Sequence, residues 1–145
     1  MEITEKVTEE KPDDSQLDEL EKKLGSTLPR FYREFLKNTN GGRPNPRKFS
    51  FTTKDGTHEN DNVHFFYSLY SGKIESLEES IDILKGRIPE GTLPIASDPF
   101  GNEILLRLGN QPDGPAYFWD HELELEGGET TQIAPSLESF VASLK

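Results

Sequence analysis

Leucines at 17, 20 and 24 stand at the three- and four-residue steps that put side chains on one side of a helix, and Gly25 follows the last of them. "DSQLDELEKKLG" is thus predicted to be a helix with Asp14 or Ser15 as N-cap and Gly25 as its stop. In "LPRFYREFLKNTNGG", Pro29 suits the first helical position. Phe31, Tyr32, Phe35 and Leu36 form an apolar face, and Asn40, Gly41 and Gly42 end the helix. After the basic, proline-rich "GGRPNPRK", the pattern changes to alternation in "KFSFTT", a short strand. "TKDGTHEND" then reads as a turn around Asp55-Gly56, and "NVHFFYSLY" as a second strand. "SLEESIDILKG" has Ser76 as N-cap with Glu79 three residues on, and Leu77, Ile81 and Leu84 on one face. Runs at 93 to 97, 103 to 108 and 116 to 122, joined by "DPFGN" and "GNQPDGP", read as an antiparallel meander. "TTQIA" adds a last strand, and a helix beginning at Pro135 or Ser136 closes the chain.

At 145 residues the chain is about one domain, long enough to bury roughly two-thirds of its unfolded surface. Residues 1 to 13, charged and nearly free of core-forming side chains, read as a mobile acidic tail ahead of a domain spanning 14 to 145. The absence of cysteine excludes disulfides, thiolate nucleophiles and Cys-ligated metals, and it makes a reducing cytoplasm the expected compartment. No signal peptide is expected at the N-terminus, and no apolar run is long enough to span a bilayer.

The net charge of −11 is unevenly spread. Residues 27 to 48 hold one acid and six bases, whereas 49 to 145 hold seventeen acids and six bases. Nucleic acid and anionic lipid would be repelled by most of this surface, and a basic protein attracted. Arg30, Arg33 and Lys37 line the polar side of the second helix as either a partner patch or a solvated face.

"WDHELELE" concentrates the candidate chemistry. If residues 116 to 126 are extended, Tyr117, Trp119, His121, Leu123 and Leu125 share one face, and Phe118, Asp120, Glu122, Glu124 and Glu126 the other. His121 would then be a core histidine, because neighbouring carboxylates that point away cannot orient its ring as a triad acid does. Acids spaced about 6.6 Å apart along a strand are also too far apart to chelate one cation, although a bend at Gly127-Gly128 could gather Glu124, Glu126 and Glu129. His58, Glu59, Asp61 and His64 lack a metal-ligand signature and read as a polar loop. In "DPFGN", Gly101 supplies a positive φ and Asp98 bonds the turn backbone. No serine lies in a nucleophile elbow. The expectation is a protein with no catalytic residues, no metal and no cofactor.

Four of these pieces, in order, resemble the SUKH superfamily over residues 14 to 145: "LPRFYREFLKNTNGG", "PIASDPFGNEILLRL", "AYFWDHE" and "SLESFVASL". This superfamily contains the yeast cell-wall-assembly regulator domain and many bacterial immunity proteins. The matching positions are Leu28, Pro29, Tyr32, Phe35, Leu36, Gly41, Gly42, Asp98, Gly101, Asn102, Tyr117, Trp119 and Asp120, most of which build the fold, while 49 to 70 match only loosely. The resemblance implies a single α+β domain with helices against a largely antiparallel sheet. It also implies protein binding, commonly neutralisation of a toxin, often a nuclease, by a cytosolic immunity protein encoded beside it. On this reading Asp120, Glu122, Glu124, Glu126 and Glu129 meet a basic toxin domain, without direct contact to nucleic acid or membrane. The alternative is a regulatory scaffold like the yeast branch, recognising another cellular protein.

Overall fold

The computed structural model describes residues 1–109, 113–126 and 130–145. Its elements run β1 (Glu2–Glu5), α1 (Asp14–Leu24), α2 (Arg30–Asn38), β2 (Arg43–Asn45), β3 (Lys48–Thr52), β4 (His58–Asn62), β5 (Phe65–Phe66), α3 (Leu77–Leu84), β6 (Thr92–Ser97), β7 (Glu103–Arg107) and β8 (Ala116–Trp119). A 3-10 helix (His121–Glu126), β9 (Thr130–Ala134) and α4 (Leu137–Ser143) complete the order. The architecture is α+β, as the resemblance implies. Strands β5-β6-β7-β8-β9 form an antiparallel sheet in that order, with β1-β2 and β3-β4 as two-stranded antiparallel pairs.

Alternation along β7 divides the interior between the faces of the sheet. Ile104 and Leu106 belong to the large core, with Leu17 and Leu20 of α1, Tyr32 and Leu36 of α2, and Leu137 and Phe140 of α4. Leu105 faces the other way, into a smaller cluster with Trp119, Tyr117, and Leu84 and Ile88 from the α3 segment. Glu103, opposite Trp119 in the ladder, is 6% exposed and accepts the Tyr67 hydroxyl at 2.6 Å. Burial pushes the Glu103 carboxyl up to about 8.

Helix α1 is capped by Asp13, one residue before the expected Asp14 or Ser15. The Asp13 side chain accepts from Gln16 N, and the Gln16 side chain accepts from Asp13 N. Gly25 ends the helix at φ +71°. The basic side of α2 is neither a solvated face nor a free patch over its whole length: Arg33 pairs with Asp14, Asp18 and Glu21, and Lys37 pairs with Asp14. Asn40 does more than end that helix. At 1% exposure its amide donates to Leu69 O and Glu10 O and its oxygen accepts from Leu69 N, fastening the α2 end to the segment after β5. A Cβ on Gly41 would come within 2.5 Å of Tyr67 O, so only glycine lets that backbone approach.

Three strands, β1, β2 and β4, stand where the sequence pattern predicts none. Glu2–Glu5, within the expected tail, pairs with β2, and Ile3 packs against the core. His58–Asn62, read as a loop, pairs with β3 across the Asp55-Gly56 turn. The β3-β4 hairpin lies over the large core through Phe49, which meets Phe140, and Phe51, which meets Phe118, with ring centres 5.2 and 4.7 Å apart.

Candidate functional site

The hairpin stands beside the β8-β9 end of the sheet, and an open groove of about 520 Å³ runs between them. Its walls include Phe51 and Glu59 from the hairpin, Phe118 from β8, Asp120 just before the 3-10 helix and Leu123 within it. Asp61 and Asp98 lie at its floor, and Phe100 stands at its rim, 70% exposed.

Register explains how carboxylates reach this position. Phe49 faces Asp61 and Phe51 faces Glu59 across the hairpin, and directly opposed residues share a face. The inward face therefore carries two phenylalanines from β3 and two acids from β4. Asp61, though buried, lies beside Asp98 from the loop after β6. Burial and a hydrogen bond with Asp98 push its carboxyl up to about 7, and the Glu59 charge adds to the shift.

The Asp98 loop has the geometry its sequence predicts. Gly101 takes φ +89°, and Asp98 Oδ1 accepts from Phe100 N and Asn102 N at 2.8 and 2.7 Å. Asp98 Oδ2 accepts from the Asn102 side-chain amide at 2.8 Å. That bond turns the Asn102 oxygen toward residue 121, where it lies 3.1 Å from the backbone N and 2.7 Å from ring Nδ1. An amide oxygen can only accept, so His121 carries its proton on Nδ1.

The strand reading of 116 to 126 fails after Trp119. Residues 121–126 wind into a 3-10 helix, so His121 does not continue the Tyr117 and Trp119 face and is half-buried rather than part of the core. Asp120 accepts from Glu122 N at 2.9 Å and so caps the turn that redirects the chain. The predicted acidic strand face is thereby dispersed. Asp120 enters the groove, Glu122 is exposed and Glu124 turns to Arg87, which it binds through both oxygens at 2.9 and 3.0 Å. This ion pair holds Glu124 below the usual carboxylate range. Glu126 is the last residue of the 3-10 helix, and Glu129 lies outside the described residues.

Sequence reasoning missed Glu59, Asp61, Phe51, Phe100 and Leu123 as neighbours of Asp120. Alternation was the available signal: "HENDN" places its acids at every second position opposite the phenylalanines of "KFSFT", once the Asp55-Gly56 turn is taken as a hairpin. Among the described residues, no group of three or more His, Asp or Glu side chains is arranged to hold a metal ion, and no helix is long and apolar enough to cross a membrane.

Comparison with known proteins identifies relatives of this chain. A prophage protein of Bacillus subtilis (strain 168), the SPbeta prophage-derived uncharacterized protein YokK, is 33% identical over 145 residues, covering 89% of this chain and 72% of the relative. The model of the SMI1 / KNR4 family (SUKH-1) matches residues 11–143, from just before α1 to the end of α4 and including the whole groove; the chain belongs to that family.

Proposed function

We propose that this chain is an immunity-type protein that binds a toxin domain encoded beside it, covering the basic surface with which that domain holds its own substrate. The groove carries the reading. It presents Glu59 and Asp120 on its walls and an exposed aromatic ring at its rim, a combination suited to a cationic protein surface. Net charge of −11 extends the attraction beyond the groove, and family membership supports a binding role. Glu122, exposed beside Asp120, belongs to the same surface. Glu124 is already neutralised by Arg87 and contributes less. In this reading the chain performs no chemistry, and His121 props the Asp98 loop through Asn102.

Co-expression with the product of the adjacent gene, followed by co-purification and a growth assay, tests the reading. The expected result is a stable complex and rescue of growth. A complex with some other cellular protein, and none with the neighbouring product, would favour the regulatory scaffold instead. In the complex, Glu59→Gln with Asp120→Asn is expected to slow association about tenfold at low salt, since asparagine keeps the cap but not the charge. Phe100→Ala is expected to speed dissociation by about tenfold. Stopped-flow association at two ionic strengths and surface-plasmon dissociation measure the two effects.

A further inference from the structure

The groove floor holds an unbalanced pair. Asp61 and Asp98, 8% and 3% exposed, meet from separate elements, and among the described residues neither forms an ion pair with a lysine or arginine. Asp98 spends its oxygens on its own loop. Asp61 Oδ1 accepts from Asn62 N at 2.8 Å, and its carboxyl otherwise faces Asp98. A carboxyl nine-tenths buried at the bottom of an open groove, with another carboxyl for its neighbour, lacks the cation that would normally accompany it. Above it, Phe51 and Phe118 supply an apolar wall with ring centres 4.7 Å apart.

We propose that the groove receives an arginine side chain of the protein partner, its guanidinium seated on the Asp61 and Asp98 carboxyls and its methylene stem against Phe51 and Phe118. This rests on the reading of the groove as the partner-binding surface, and it names what enters. A guanidinium fits better than an ammonium because its planar fork can meet two carboxyl oxygens at once while its face lies on an aromatic ring. Below about pH 7, seating the cation releases the proton on Asp61 into solvent. The charged groups around Asp61 are Asp98 and Glu59, with Lys54 and Asp55 in the hairpin turn, Asp120 across the groove and Glu103 beyond Asp98. His121 reaches the pair only through Asn102.

The test titrates N-acetyl-arginine methylamide into the full chain and follows the amide resonances of Phe100 and Asn102. Saturable shifts are expected at pH 8, with affinity falling about tenfold for each pH unit below 7, because the probe competes with the proton on Asp61. Asp61→Asn, nearly the same shape, is expected to lose the response while keeping the folded spectrum. Shifts that persist in Asp61→Asn, or that ignore pH in the native chain, overturn the proposal. Equal affinity for the matching lysine amide removes the guanidinium assignment. The two readings fail separately: a complex with the neighbouring gene product that arginine amide cannot weaken leaves the proposed function standing and ends this inference, whereas a responsive groove without that complex does the reverse.

Discussion

Asn102 shows how much one side chain can fix. Its amide nitrogen is taken by Asp98, so its oxygen must serve residue 121, and that choice sets the tautomer of the histidine and the start of the 3-10 helix. Tyr32 is the opposite case, with a fully buried hydroxyl that has no partner among the described residues. Burial raises its pKa, and an unpaired buried hydroxyl costs about 1–3 kcal/mol, so Tyr32→Phe is expected to stabilise the fold by about 1 kcal/mol, read as a higher urea midpoint. Glu103 is held by Tyr67 and kept largely protonated by burial up to about pH 8. Its folded pKa lies above the ordinary 4.5, so its contribution to stability is complete below that value and is lost as pH rises toward 8. Glu103→Gln keeps an acceptor for Tyr67 and removes the titration. Melting curves are expected to show the variant above the native chain at pH 8 and level with it near the lower end of that range.

Of the three acids of α1 that pair with α2, Glu21 also holds the connection between the helices. Glu21 accepts from Leu28 N at 2.6 Å and from Arg33 at 2.9 Å, so it serves the connection and the second helix together. Glu21→Ala leaves a half-buried amide and a guanidinium short of partners and is expected to cost about 2 kcal/mol. Asp13→Ala, which removes only the cap of α1, is expected to cost about 1 kcal/mol. Urea unfolding of the two variants checks the order. Helices were legible because their leucines and caps are local. Strand β4 was not, since five polar residues carry no apolar alternation of their own and pair only because β3 offers an edge across a tight turn. Strand β1 was hidden for the same reason: Ile3 is its one half-buried side chain, and pairing with β2 holds the rest. Conversely, "HELELE" alternates like a strand yet winds up, because Asp120 caps a turn and Asn102 captures the His121 backbone.

Across the whole molecule, two sets of carboxyls pull the pH dependence of stability in opposite directions. Asp61 and Glu103 have raised pKa values, so stability falls as pH climbs from about 4 toward 7 and 8. Asp14, Asp55 and Glu124 have lowered values through Lys37, Thr53 and Arg87, so their contributions disappear as pH drops below the ordinary carboxylate range. Net negative charge adds repulsion at higher pH. The expected melting temperature peaks near about pH 5 and declines toward pH 9, and a calorimetric series across that range measures it.

The sequence by itself determined the four helices, most of the main sheet, the Asp98 turn and the acidic character, because each follows from local periodicity, capping or charge counting. Only the tertiary structure decided which acids act together. Asp61 and Asp98 are thirty-seven positions apart, and they meet because hairpin register turns one inward while the loop after β6 fixes the other. Glu124, drawn in the sequence as a partner contact, was instead claimed by Arg87 once the chain left the strand at Asp120. A carboxylate's role depends on which charges and donors surround it, and long-range packing supplies those neighbours.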